Sequence, residues 1–379
     1  MNVAVVVSGA LVPGFVLVLS WLMPSLTPPD LQFGVRIPAA RRQEAVIADQ
    51  LRSYRRWLAA WGAAVLVAGC ALALAVGDRN GGAAVAAALL PALAALAVTL
   101  AGYVRARRVI LAAKRAGGWY DGLRQGVAAD TSLRTGPRPF PWLWALPPVL
   151  LTAATAVIGA VRYDAMPQRL PMHFGGDGTV DRFAEKSFAA AFTPVLSQLG
   201  LTVLILAVVW AVQRGRADLD PARPTTSAAR HRRYVARLGA ALLVMAASVD
   251  LSMLLAALKI WSGARTVPPV PLLAPVVFGL AVVTVVAVRT GQGGTRLRGG
   301  AADGTDGPDE AAEPDTGLVH ADDDRHWRAG GTVYVNRQDP AMLVPKRFGI
   351  GWTVNLGNPR AVLLLALVAA LVVVLSLAG

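Results

Sequence analysis

The chain has 379 residues, 55% of them apolar and only 16% charged, with a mean hydropathy of +0.50 and a net charge of +14. Soluble domains carry roughly 25% charged residues, so the composition excludes an ordinary soluble domain and predicts an all-α integral membrane protein. The basic balance alone would suit nucleic acid, but the arginines lie in loops with no folded basic surface and no recognition motif, so nucleic acid is set aside as a partner.

Eight apolar runs are long enough to cross a hydrocarbon core of about 30 Å as helices: residues 3–23, 57–77, 83–104, 142–161, 189–212, 235–258, 267–288 and 361–378. The first has neither a basic leader nor a small-residue cleavage site and reads as a membrane helix rather than a signal peptide. Pro91 and the Pro147-Pro148 pair predict kinks in the third and fourth. Cys70, the single cysteine, reads as a small packing residue, and one cysteine makes no disulfide.

The polar segments alternate in charge. Those after the first, third, fifth and seventh runs hold 29 Lys and Arg, the opposite set 7. This positive-inside pattern predicts four cytoplasmic loops and both termini outside, in a multi-pass protein of a bacterial plasma membrane. The excess of Arg, 33 against 4 Lys, is the composition of a GC-rich bacterium. Its clusters would meet anionic lipid headgroups.

In chain order, residues 27–56 predict a proline turn and then an amphipathic helix. Arg41, Arg42, Arg52, Arg55 and Arg56 would lie at the headgroups, with Val46, Ile47 and Leu51 toward the acyl boundary. Between the fourth and fifth runs stands a polar island, LPMHFGGDGTVDRFAEKS, residues 170–187. His173, Asp177, Asp181 and Glu185 are spaced by four, but the glycines at 175, 176 and 178 break any helical metal face. A tight reversal fits better, with Leu170-Pro171 extended, glycines at positive φ, and the next helix starting at Asp181 or at Lys186-Ser187. Held in such a loop outside the cell, polar side chains are candidates for recognition.

His231, in the basic run RHRRY, reads as part of a solvated face. Asp250, halfway through the sixth run, is costly at the bilayer centre and calls for a partner, for which Gln198 and nearby serines are candidates. Residues 289–317, rich in Gly and acidic residues, predict a disordered linker. Short β-prone runs between turns then make residues 318–360 a small cytoplasmic β-hairpin-like module, with Trp327, Tyr334 and Trp352 as a miniature core or an interfacial belt. Together with Lys346 and Arg347 they form the surface expected to meet a cytoplasmic regulator protein. The expected regions are thus 1–140, 141–288, 289–317, 318–360 and 361–379.

Enzyme templates are absent: no H-E-x-x-H, G-x-S-x-G or Walker A motif, and four histidines in all, His173, His231, His320 and His326. The reading is therefore non-enzymatic, with no catalytic residue, cofactor or metal. A proton-coupled transporter using Asp250 is the rival, disfavoured by the lack of an evident inverted repeat.

The island resembles the LP-x-H-(W/F)-x-x-x-G-x-x-D-x-x-x-x-K signature of a membrane domain of unknown function shared with the bacterial SdpI-type immunity proteins. Leu170, Pro171, His173, Phe174, Gly178, Asp181 and Lys186 occupy its recurring positions. The segment from Asp324 to Pro359 looks like a second module at the end of such proteins in actinobacteria, and LQFGVRIP, residues 31–38, is similar to a further recurrent segment. The resemblance implies immunity to a secreted peptide toxin, or signalling through a repressor held at the membrane. His173, Phe174, Gly178, Asp181 and Lys186 would then meet an extracellular peptide.

Overall fold

A computed structural model describes residues 3–76, 81–135, 140–174, 179–297 and 313–378. Nine α-helices are found among them: α1 Val3–Leu26, α2 Ala45–Val76, α3 Gly81–Ala116, the short α4 Ser132–Thr135, α5 Trp142–Arg162, α6 Phe188–Arg214, α7 Pro224–Trp261, α8 Pro269–Thr290 and α9 Pro359–Ala378. Seven, all but α4 and α9, are long and apolar enough to span a membrane. Helix α9 follows the eighth apolar run. The protein is a polytopic all-α membrane protein.

The strands are short and occur in pairs: β1 Leu31–Gln32 with β2 Val35–Arg36, β3 Gln125–Gly126 with β6 Val319–His320, β4 Arg169–Phe174 with β5 Val180–Glu185, β7 Trp327–Arg328 with β8 Val333–Tyr334, and β9 Leu343–Pro345 with β10 Trp352–Val354. All are antiparallel except β3 with β6.

The helices form two groups. Helices α1, α2 and α3 pack on one another, and α7 is the centre of the second group, in contact with α5, α6 and α8. Between membrane helices apolar contact gains little over lipid, so close backbone approach and interhelical hydrogen bonds carry the packing. At Gly69 an added Cβ would lie 2.8 Å from the Gly9 carbonyl oxygen and 3.0 Å from Pro91, so this crossing of α1, α2 and α3 requires glycine. Deeper in the same group the Thr99 hydroxyl donates to Ser20 at 3.0 Å and Trp57 to the Val98 carbonyl at 3.0 Å.

Several helices outrun their apolar segments because no breaker stops them. Helix α7 has 38 residues, about 57 Å at 1.5 Å per residue, well beyond a hydrocarbon core of about 30 Å. Helix α2 likewise begins at Ala45 and runs without interruption into the membrane segment, which corrects the expectation of a separate surface helix. Ile47 is buried, and Val46 and Leu51 pack against the same core, which includes Phe33, Tyr54 and Tyr103. These apolar side chains face protein rather than the acyl boundary. Upstream, the chain turns through β1 and β2 at Phe33-Gly34, where Gly34 has φ +70 and an added Cβ would strike the Tyr103 hydroxyl.

Of the expected linker, residues 298–312 lie outside the described residues. On either side the chain is bonded. Gln292 is buried and donates to the Gly351 carbonyl at 3.0 Å. The Glu313 carboxylate accepts from the backbone N–H groups of Thr225 and Thr226 at 2.9 and 2.8 Å, satisfying free donors in the first turn of α7.

Candidate functional site

Helix α7 joins two contrasting places. At its C-terminal end stands the β4–β5 hairpin. Leu170 is completely buried there, with Met166, Ala191 and Trp261 in the same core, so the hairpin is seated on the helix bundle. The Val180 N–H donates to the Arg265 carbonyl at 3.0 Å, and Thr179 bridges Thr266, which fastens β5 to the loop between α7 and α8.

Register shifts on either side of His173 break the regular pairing of the hairpin. His173 Nδ1 lies 2.7 Å from Asp181 Oδ1, with the side chains 56% and 54% exposed. A contact this exposed adds at most about 1 kcal/mol to stability, so the fold gives little reason for it. What it presents is a paired donor and acceptor in water, beside Phe174 at the end of β4. Asp181 sits in strand β5 and does not start a helix. That role belongs to Ser187, whose side chain accepts from Ala190 N at 3.2 Å as the N-cap of α6.

Lys186 is placed differently from the other sequence candidates. Its ammonium donates to the carbonyls of Asp164 at 3.2 Å and Met166 at 3.3 Å and lies 4.8 Å from the Tyr163 ring centre. It holds the hairpin base to the end of α5. Gly178, with Gly175, Gly176 and Asp177, lies outside the described residues.

About two-thirds of the way along α7, Asp250 meets Gln198 of α6, and both are fully buried. The Gln198 amide donates to the Asp250 backbone carbonyl at 2.7 Å, and the Thr202 hydroxyl donates to Asp250 Oδ2 at 2.8 Å.

At the N-terminal end of α7 three of the basic loops converge on residues 313–358 of the fourth. The organising cation is Arg36 of β2, with a side chain 6% exposed, bonded to Asp30 at 2.7 Å and to Asp218 of the α6–α7 loop at 2.8 Å. Burial alone would raise both carboxyls, but the Arg36 guanidinium, with His320 beside it, holds them below the usual carboxylate range. His320 Nε2 lies 3.3 Å from Asp30. A second cluster joins Lys114 of α3 to Asp322 and Asp324, each at 2.7 Å, and Arg347 to Asp323, Asp324 and the Gly34 carbonyl. Against the upward effect of burial, Arg347 and then Lys114 keep Asp324 low. Arg216 bonds Asp339 at 2.5 Å.

The module's own folding is local. Trp327, Tyr334 and Val344 form a small core, and the buried Asn355 donates to the carbonyls of Asn336, Asp339 and Ala341 at 2.9, 3.1 and 3.1 Å. Trp352 leaves that core and packs with Tyr234, Val212 and Leu238 of the second helix group. His231 is buried there, its ring edge-on to Trp352 at 6.4 Å. This corrects its reading as part of a solvated face: the first turns of α7 lie beneath the module rather than in water. Arg347, 2% exposed, is likewise withdrawn from any partner surface, whereas Lys346 lines a cavity of about 390 Å³ with Arg42 and Arg223. A larger cavity of about 890 Å³ separates the module from the ends of α6 and α7, with Gln213, Val235 and Gln338 in its walls.

Sequence patterns pass over Arg36, Asp30, Asp218 and Lys114, because charges brought together from distant loops carry no local spacing. One signal touched them: the recurrent LQFGVRIP segment, which contains Arg36.

Two families are similar to parts of this chain. A domain of unknown function (DUF1648) matches residues 150–197, and a family of unknown function (DUF5808) matches residues 337–362. The first match contains the whole β4–β5 hairpin and the second contains β9 and β10. No curated protein and no solved structure matches the chain.

Proposed function

We propose that this protein is a non-enzymatic membrane receptor or immunity protein in a bacterial plasma membrane. Its hairpin meets an extracellular peptide, and its module regulates a cytoplasmic partner. The observation that carries the reading is the continuity of α7, which ties the exposed His173–Asp181 pair at one end to the buried charge clusters at the other. A peptide bound at the hairpin would press on the α7–α8 loop through Val180 and Arg265, and a shift of α7 would bear on His231 and Trp352. The charge alternation of the loops supports the hairpin outside and the module inside. The resemblance of residues 170–187 to the SdpI-type immunity proteins supports a peptide as ligand class. Anionic lipid headgroups would engage arginines that remain exposed at the module end, such as Arg41 and Arg52.

The test expresses the protein in a sensitive bacterial host challenged with a panel of secreted membrane-active peptides. The His173→Ala, Asp181→Ala double variant should lose about tenfold in tolerance, the scale of one lost charge-assisted contact of about 1.4 kcal/mol, at unchanged membrane abundance. Tolerance equal to that of the unaltered protein across the panel would remove the hairpin as the site.

A further inference from the structure

Gln198 and Thr202 stand four residues apart on α6, hence on one face, and both reach Asp250. With those two bonds made, Asp250 Oδ1 and Gln198 Oε1 remain: two acceptor oxygens, sealed from water and without a hydrogen-bond partner. The neighbouring hydroxyls do not supply the missing donor. Thr155 donates to the Leu151 carbonyl, Ser248 to Val244 and Ser252 to Leu272, while Thr152 faces Thr202 at 3.5 Å. Among the described residues no Lys, Arg or His forms an ion pair with Asp250. An ionised carboxylate is acceptor-only, so it would leave a buried charge unpaired and the Gln198 oxygen orphaned as well.

A single proton resolves both deficits. On Oδ1 it makes Asp250 neutral and turns that oxygen into an O–H donor, and Gln198 Oε1, on a side chain already bonded to Asp250, is a buried acceptor still without a partner, while Oδ2 still accepts from Thr202. We propose that Asp250 is a resident proton-binding site at neutral pH, and that its carboxylic acid donates to Gln198, clasping α6 to α7 inside the membrane. The group is then a neutral fastener of the central helix. It does not depend on the peptide-receptor reading, and it runs against the use of Asp250 as a cycling transport charge.

Infrared spectroscopy of the full-length protein in lipid at neutral pH tests this, as the difference between the unaltered protein and Asp250→Asn. The proposal expects a protonated carboxylic C=O band that shifts in deuterated water, is absent from Asp250→Asn, and is the same in sodium and choline salts. It also expects Gln198→Leu to move the band to higher frequency, because the O–H loses its acceptor. Asn offers an N–H where the acid offers its O–H, so Asp250→Asn should melt within a few degrees of the unaltered protein. Asp250→Ala should melt lower. Carboxylate bands in place of the acid band, or a spectrum that changes with sodium, would overturn the proposal, as would a band unmoved by Gln198→Leu.

Discussion

Arg36 and His173 each pair with a carboxylate, and their surroundings set very different consequences for losing them. Arg36→Ala would leave Asp30 and Asp218 with only His320 close by, and removing one partner of a buried pair costs about 3–5 kcal/mol. His173→Ala breaks a pair in water worth at most about 1 kcal/mol. Thermal melts in detergent should therefore show a large drop for Arg36→Ala and almost none for His173→Ala. Comparable drops would mean that the Arg36 cluster is not the fastening described. Lysine should restore Arg36→Ala only in part, since one ammonium lacks the planar fork that reaches both aspartates. At this scale the sequence revealed residues whose neighbours are near in the chain, such as His173 and Asp181. It also revealed Asp250, because a lone acid in an apolar run stands out. Arg36 stayed hidden among many arginines, since only the fold puts Asp218 beside it.

The protonation of these carboxylates sets the behaviour of the module as an element. Asp30, Asp218 and Asp324 are held below their ordinary values, and Glu313, bonded to the first turn of α7, is lowered to about 2 by the Thr225 and Thr226 bonds working against its burial. Groups lowered in the folded state add stability that is fully present above their unfolded values, about 4, and is lost as pH falls toward the folded ones. Fluorescence of the module tryptophans Trp327 and Trp352 should be constant from neutrality to about pH 4 and change below it. A transition already complete at pH 6 would contradict the assignment. The helices were legible as elements because a spanning helix needs a long apolar run and little else. Their extensions were not, since residues 45–56 and 224–234 carry the charges of a surface segment, yet the helix continues and one face packs on protein. The β4–β5 hairpin was legible as a reversal but not as paired strands, because its short polar runs lack a clear alternation.

For the whole molecule, the loops that join successive helices explain the architecture. The loops after α1, α3, α6 and α8 gather around the module, and the α5–α6 and α7–α8 connections meet at the hairpin. Loop charge anticipates this alternation, because each crossing exchanges one face for the other. What charge does not disclose is that the module is no separate domain. Arg36 and Lys114 from the first helix group and Asp218 and Arg216 from the second are bonded into shared clusters, so the module stitches the groups together.

The central claim, a hairpin outside and a regulatory module inside joined by α7, is most directly tested by cysteine labelling in intact cells. Single cysteines at Thr179 and at Gln338, in a Cys70→Ala background, would be probed with a membrane-impermeant thiol reagent. Labelling is expected at position 179 in whole cells, and at position 338 only after the membrane is opened. Labelling at 338 but not at 179 in intact cells would put the hairpin in the cytoplasm and contradict the claim.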